Sequence, residues 1–327
     1  MNGRPLRVGM IGTGWMGAAI APDFALCDET ELVAVAGRST ERTEAFAAAH
    51  AVPKALDVTQ LIEADEVELV YIASTHDSHA ELARAALERG KPVLLEKAFT
   101  VDAASAAELV DLAEERGLFL MEAMWMRFNP VIRRVGDLLA EGAIGEPRTL
   151  HASFGFAAPA GEGHRLWDPR RGGGSLLDQG VYPLAFADLV FGEPETVAAT
   201  GSRLDYDGAD SGVDTEVAAL LGYANGRQAL CSSLIRSHLP LDASVGGADG
   251  RIEVAPAFWC PSAFTLHRPG ADPVTEQAPI EGRGYVPMLR AAAEALAEGR
   301  GAHPLSDHAA TLRVMRTVDR VFAALDA

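Results

Sequence analysis

The chain has 327 residues, enough for two ordinary domains, and 48% of them are hydrophobic. Acidic residues outnumber basic ones 46 to 28, and the net charge of −18 excludes nucleic acid and anionic membrane surfaces as partners. No run approaches the roughly 18 apolar residues of a membrane span, no secretion leader is read in the apolar run 8–11, and Cys27, Cys231 and Cys260 are too few and scattered for a disulfide framework, so a reducing, cytoplasmic setting is expected.

The first third alternates two periodicities. An apolar strand at 6–11 meets glycines and a helix over 14–26. A strand at 31–36 precedes an Ala-rich helix over 40–50, with Ser39 or Thr40 as its cap. A strand at 67–73 leads to a helix over 77–89 that stops at Gly90, and a strand at 92–95 leads to a helix over 102–116 that stops at Gly117. A short strand at 118–121 closes the series. This rhythm predicts βαβ units and a parallel sheet.

The rhythm changes after Met124. Helices at 131–140 and 175–190 frame strands at 148–156, 196–203, 215–223, 227–235, 242–246 and 251–254. Turn signals such as Asn225-Gly226 separate consecutive strands, which predicts a largely antiparallel sheet. Two more helices, 285–298 and 306–325, end the chain. The expected division is 1–123 for a nucleotide-binding domain and 124–327 for an α+β domain that binds substrate and associates with a second copy.

Four strand ends carry the chemistry. After the first strand stands Gly12-Thr13-Gly14-Trp15-Met16-Gly17, a G-x-G-x-x-G that lets a backbone approach a pyrophosphate at a helix N-terminus. After the second stands Gly37-Arg38-Ser39-Thr40, with no acid to hold a ribose 2′-hydroxyl. Arg38 offers a planar fork for a 2′-phosphate, and Ser39 and Thr40 offer hydroxyls, so NADP is favoured over NAD. The competing reading leaves Arg38 as a solvated loop residue. After the third stands Ser74-Thr75-His76-Asp77-Ser78-His79. Its histidines lack the separated pairs of a metal site, and no metal is expected. Ser74, Thr75, His76 and His79 lie at the sheet edge that faces a cofactor, although a histidine in a first helical turn can also be an ordinary surface group. After the fourth, Glu96 and Lys97 place a carboxylate and an amine at that same edge.

Farther on, Gly172-Gly173-Gly174-Ser175 precedes a helix carrying Asp178 and Tyr182, i and i+4, on one face. A phenol ordinarily titrates at about 10, and a nearby ammonium such as Lys97 favours its phenolate. The competing reading is a core tyrosine and a helix cap.

Together these motifs resemble the glucose–fructose oxidoreductase/inositol dehydrogenase (Gfo/Idh/MocA) family over nearly the full chain. The resemblance rests on the G-x-G-x-x-G, the pattern from His79 to Lys91, the pair Glu96-Lys97, and the run from Gly173 to Tyr182. Tyr182, where many sugar dehydrogenases have His, and Met121-Glu122-Ala123-Met124-Trp125-Met126-Arg127-Phe128 look most like its dihydrodiol and aldose dehydrogenase branch. The resemblance implies a Rossmann domain followed by an α+β domain with an open, mainly antiparallel sheet. It implies Lys97 and Tyr182 as catalytic pair, Asp178 beside them, and Trp125, Arg127 and Trp167 as a substrate wall; both tryptophans have a core reading as well. The family usually reads E-K-P; Ala98 here lacks the fixed φ of that proline.

The expected activity is NADP-dependent hydride transfer at a cyclic polyol carbon, an aldose C1 or a vicinal diol. Reduction of a keto sugar or an imine, and nucleotide sensing without catalysis, are the alternatives. Leu220, Leu230 and Leu234 alternate along strands and are expected to bury an open sheet face in a homodimer or homotetramer.

Overall fold

The computed structural model describes residues 4–159, 164–204 and 212–327. In the first part, β1 (Leu6–Ile11), α1 (Trp15–Phe24), β2 (Thr30–Ala36), α2 (Thr40–Ala49), β3 (Lys54–Leu56), α3 (Val58–Glu63) and β4 (Leu69–Ile72) follow one another. Then come α4 (His79–Glu88), β5 (Val93–Leu95), α5 (Ala103–Arg116) and β6 (Leu120–Glu122). The six strands form one parallel sheet in the order β3-β2-β1-β4-β5-β6. Every residue of β4 and β5 is buried, because helices cover both faces of such a sheet.

No element is expected over 51–66 from the sequence, yet β3 and α3 lie there. Three residues, one of them an exposed lysine, are too short for an alternation to show at an edge strand. The start of α3 is a capping box: the Asp57 carboxylate accepts from the Gln60 amide, and the Gln60 side chain accepts from the Asp57 amide.

The second part holds α6 (Pro130–Ala140), β7 (Pro147–Gly155), α7 (Val181–Phe191), β8 (Thr196–Leu204), β9 (Val213–Gly222), β10 (Gln228–Leu234), β11 (Ala243–Gly247) and β12 (Gly250–Val254). Beyond these lie β13 (Ala263–His267), β14 (Val274–Gln277), α8 (Val286–Ala297) and α9 (His308–Leu325). The eight strands form one sheet in the order β14-β13-β12-β11-β7-β10-β9-β8. All neighbours are antiparallel except β7 and β10, which run parallel. The sequence pattern predicts no strand beyond β12. In β13, Phe264 and Leu266 point inward and alternate with half-buried residues, a period that five residues barely declare. Leu220 and Leu230 face each other across β9 and β10 and are 45% and 40% exposed, whereas Leu234 is half-buried.

The compact units are discontinuous in sequence, where the sequence reading divided the chain once at 123/124. Unit one takes the residues up to Thr100, Ala104–Phe128 and Glu281–Thr311; unit two takes Val101–Ala103, Asn129–Ile280 and Leu312–Ala327. The reason lies in α1. Asp23 is fully buried, and its carboxylate accepts the Arg283 amide at 2.9 and 3.0 Å and the Tyr285 amide at 2.9 Å. Pro22 sits inside the same helix and donates nothing to the Ala18 carbonyl. The Arg283 guanidinium reaches the Ala18 and Ala19 carbonyls instead, each at 3.4 Å. Replacing Asp23 by Ala leaves the buried Tyr285 amide and the part-buried Arg283 amide without their acceptor and is expected to destabilise the fold by roughly 2–3 kcal/mol; urea unfolding of the variant measures it.

Candidate active site

The turn after β1 shows three glycines used in three ways. Gly12 has φ +129°, and a Cβ there would sit 2.3 Å from the Ala73 carbonyl oxygen. A Cβ on Gly17 would sit 2.4 Å from the Gly12 carbonyl oxygen, so α1 packs directly on the turn. Gly14 is exposed, and a Cβ there would meet nothing within 4 Å. The first two glycines are required by the fold, and the third keeps the helix start bare. No side chain caps α1, and its first turn carries no acid, so its leading amides fit a phosphate group. Trp15, 75% exposed, stands on that first turn beside Met16.

The turn after β2 leans on this one. A Cβ on Gly37 would come within 2.9 Å of the Thr13 hydroxyl oxygen. Ser39 caps α2, its Oγ accepting the Arg42 amide at 3.4 Å. Arg38 and Thr40 are exposed, and no carboxylate stands at 37–40.

The turns after β4 and β5 are tied together by His79. Its ring is fully buried, with Nδ1 2.9 Å from the Ala98 carbonyl oxygen and Nε2 3.3 Å from that of Ser74. Burial pushes the imidazole below its ordinary value, against the pull of these carbonyls. A neutral ring donates to one of the two carbonyls, so His79 holds the backbone next to Lys97. His76 is buried too and packs edge-on against His79 at 5.5 Å. The Ser78 hydroxyl bonds Ser74 Oγ at 2.8 Å and the Thr75 carbonyl at 2.9 Å, closing the Ser74–Thr75 turn.

Glu96 is buried at the end of β5. Its Oε1 accepts the Tyr71 hydroxyl at 2.5 Å, and its Oε2 accepts the Lys97 amide at 3.2 Å. Lys97 is half-buried, and the Lys97–Ala98 peptide bond is cis. One strand over, Glu122 ends β6, followed by a single 3₁₀ turn, Trp125–Phe128. Trp125 is buried and stacks on Tyr285 at 4.3 Å, and Arg127 is buried as well. The structure thus places two residues of the expected substrate wall inside unit one.

In unit two the helix expected from Ser175 is built in two pieces. Leu176–Gly180 is a π-helical turn, and α7 follows it. Asp178 therefore lies in the wider turn and Tyr182 in the first turn of α7, not one regular α-turn apart. Asp214, an inward-facing acid on β9, anchors the start of this π-turn. Its Oδ2 accepts the Ser175 hydroxyl at 2.8 Å and the Leu176 amide at 2.7 Å. A Cβ on Gly174, φ +103°, would lie 2.1 Å from Asp214 Oδ1, so only glycine permits this approach. Burial raises the Asp214 carboxyl, and the Ser175 and Leu176 donors oppose that rise.

Asp178 is buried and ion-paired through Oδ1 with the Arg165 guanidinium at 2.7 Å. The buried Tyr182 ring faces Phe154 at 5.7 Å and Trp259 at 5.9 Å, which stack on each other at 3.7 Å and 6°. Trp167 is half-buried against Ala158, Leu166 and Ile235, its indole N–H donating to the Pro159 carbonyl at 3.0 Å. Unit one thus gathers the nucleotide turns and Lys97, and unit two gathers Asp178, Tyr182 and an aromatic pair.

The oxidoreductase family model with an NAD-binding Rossmann fold matches residues 6–124, and the Gfo/Idh/MocA C-terminal domain model matches residues 132–253. The chain belongs to the Gfo/Idh/MocA oxidoreductase family. The trans-1,2-dihydrobenzene-1,2-diol dehydrogenase of Sus scrofa is 36% identical over 266 residues, 80% of this chain and 77% of that protein. The Mus musculus enzyme of the same name is 35% identical over 271 residues, 80% of this chain and 78% of that protein. A 3-ketoreductase from Actinomadura kijaniata, solved with NADP and TDP-benzene, matches with a TM-score of 0.88 at 31% identity over 98% of both chains. An aldose-aldose oxidoreductase from Caulobacter crescentus, complexed with glycerol, matches with a TM-score of 0.89 at 25% identity over 99% of this chain and 98% of that one. Within the Gfo/Idh/MocA family the chain falls in the dihydrodiol dehydrogenase branch, and it is an NAD(P)-dependent dehydrogenase.

In this Gfo/Idh/MocA oxidoreductase, sequence reasoning missed Phe154, Trp259, Arg165 and Asp214. Only Asp214 carries a local signal, an acid at an inward position of a strand. The other three reach Tyr182 or Asp178 by chain folding. The glycine turn gives a paired test. Gly12→Ala is expected to lose about 3 kcal/mol or more of stability from strain and clash. Gly14→Ala, at the α1 N-cap, should cost only about 1 kcal/mol yet weaken dinucleotide binding at least ~10-fold. Thermal unfolding and calorimetric NADP titration separate the two effects.

Proposed function

We propose that this dehydrogenase uses NADP and removes hydride from a secondary alcohol or hemiacetal carbon of a cyclic polyol, an aldose C1 or a vicinal diol. Lys97 and Tyr182 form its catalytic pair. The observation that carries the reading is the Tyr182 phenol, buried beside the stacked Phe154–Trp259 pair and just beyond the π-turn that holds the Arg165-paired Asp178. An aromatic face suits the apolar side of a ring, and a fixed carboxylate suits one of its hydroxyls.

In this mechanism Tyr182 accepts the proton of the substrate hydroxyl as the carbon–hydrogen pair leaves as hydride. The Lys97 ammonium favours the phenolate that accepts it, and Asp178 holds a second hydroxyl. The nicotinamide, when bound, supplies the hydride acceptor. The pyrophosphate would be held by Gly12, Thr13, Gly14, Trp15, Met16 and Gly17, and the 2′-phosphate by Arg38, Ser39 and Thr40. Ser74, Thr75, His76 and His79 would shape the nicotinamide side, with Glu96 bracing Lys97. Support for NADP comes from the missing acid after β2 and from the similar 3-ketoreductase, solved with NADP. That relative, a 3-ketoreductase, also favours the alternative of the reverse direction, reduction of a keto sugar. Trp125 and Arg127 act from inside unit one, and Trp167 borders the Asp178 side. The Leu220–Leu230 face of the second sheet suits a second copy of the chain, giving a homodimer or homotetramer in the cytoplasm.

Tyr182→Phe should lower kcat by roughly 10²–10⁴ while leaving NADPH affinity unchanged. Absorbance of NADPH formation against aldoses and diols reads the first quantity and fluorescence titration the second; turnover near wild type removes Tyr182 from the mechanism. Arg38→Ala should weaken NADP about 10-fold or more and leave NAD nearly untouched. Equal loss for both cofactors places Arg38 elsewhere.

A further inference from the structure

The edge of the parallel sheet holds one buried acid that the proposed reaction leaves idle. Glu122 ends β6 with Leu95 as its register partner, so it lies beside the turn 96–100 that carries Lys97. Its Oε2 accepts the Thr311 hydroxyl at 3.1 Å, and its Oε1 has no hydrogen-bond partner. Glu96, the neighbouring buried acid, has a donor on each oxygen, the Tyr71 hydroxyl and the Lys97 amide.

The groups that act on Glu122 come from each element around it. Burial, helped by the Glu96 charge, raises its carboxyl to about 7 against the pull of Arg127, Thr311 and the Phe99 amide. On α9, His308 is committed to Glu114 and to the Leu120 carbonyl. Two buried carboxyls, Glu96 and Glu122, repel each other, and only Glu122 has an oxygen that accepts from no donor. A proton relieves the repulsion, and Glu122 Oε1 is the oxygen with room to carry that proton.

We propose that Glu122 is a positioning residue for Lys97: protonated, it leaves Glu96 free to grip the Lys97 amide, and ionised, it repels Glu96 and loosens that grip. The proposal rests on Lys97 as a catalytic residue, and its sign follows from the geometry. Raising the pH through neutrality charges Glu122 and weakens the brace. Along that limb turnover therefore carries a Glu122-dependent loss, separable from any other titration because Glu122→Gln removes it.

The chain contains three lysines, Lys54, Lys91 and Lys97, so reductive methylation with labelled methyl groups gives three side-chain signals. Lys97→Arg assigns the third. In the NADP-saturated enzyme, the Lys97 signal is expected to show an inflection close to neutral pH, and kcat to fall about threefold short of the Glu122→Gln profile above it. Glu122→Gln, which keeps the size and removes the charge, should flatten both. Thr311→Val removes a donor that favours the anion and should move the inflection to higher pH. Lys97 signals and kcat profiles that overlay wild type in both variants overturn the proposal. Full turnover in Lys97→Met instead overturns the catalytic reading of Lys97; the Glu122-dependent signal, read without turnover, still decides the positioning role.

Discussion

Strands buried on both faces leave charge a single place to stand, their ends. Parallel strands all end on the same edge, so the turns after β1, β2, β4, β5 and β6 converge there. Each carries the polar residues that its strand could not hold: the glycine turn, Arg38 and Ser39, Ser74 and His79, Glu96 and Lys97, Glu122. The site in unit one is a consequence of that exclusion. Its cost is that several polar groups are buried just behind the edge. Tyr71 meets Glu96, and His79 meets two backbone carbonyls, so most of that burial is satisfied.

Unit two solves a different problem. An antiparallel sheet has no common edge at which to gather groups, so its polar site is mounted on a distorted helix start. Asp214 pulls the Ser175 hydroxyl and the Leu176 amide toward β9, and Gly174 allows the approach. The widened turn that follows carries Asp178, and the chain then tightens into α7 with Tyr182 at its start. The tyrosine is fixed by aromatic packing and the aspartate by an ion pair.

The sequence made the nucleotide turn legible because each glycine there answers to a local geometric need. The βαβ rhythm was legible because buried strands are apolar throughout and helix ends are marked by Gly90 and Gly117. The π-turn was not, since Ser175 to Tyr182 reads as ordinary helix and the acid that anchors its start, Asp214, lies over thirty positions away. The surroundings of Tyr182 were hidden for the same reason: Phe154 and Trp259 come from β7 and from the loop after β12. Arg127 reads as a hand for substrate hydroxyls because arginine is usually exposed; burial beside Glu122 gives it an internal partner.

The pin between Asp23 and the amides of Arg283 and Tyr285 bears on the order in which the protein is made. All six strands of the parallel sheet have left the ribosome once Glu122 has. The carboxylate in α1 must then wait, buried partners absent, until the whole of the second sheet has been synthesised. The nucleotide-binding unit is therefore the first to start and among the last to finish. A nascent chain stalled within the second sheet holds a sheet with every strand in place and a helix whose buried acid and proline-freed carbonyl still face water.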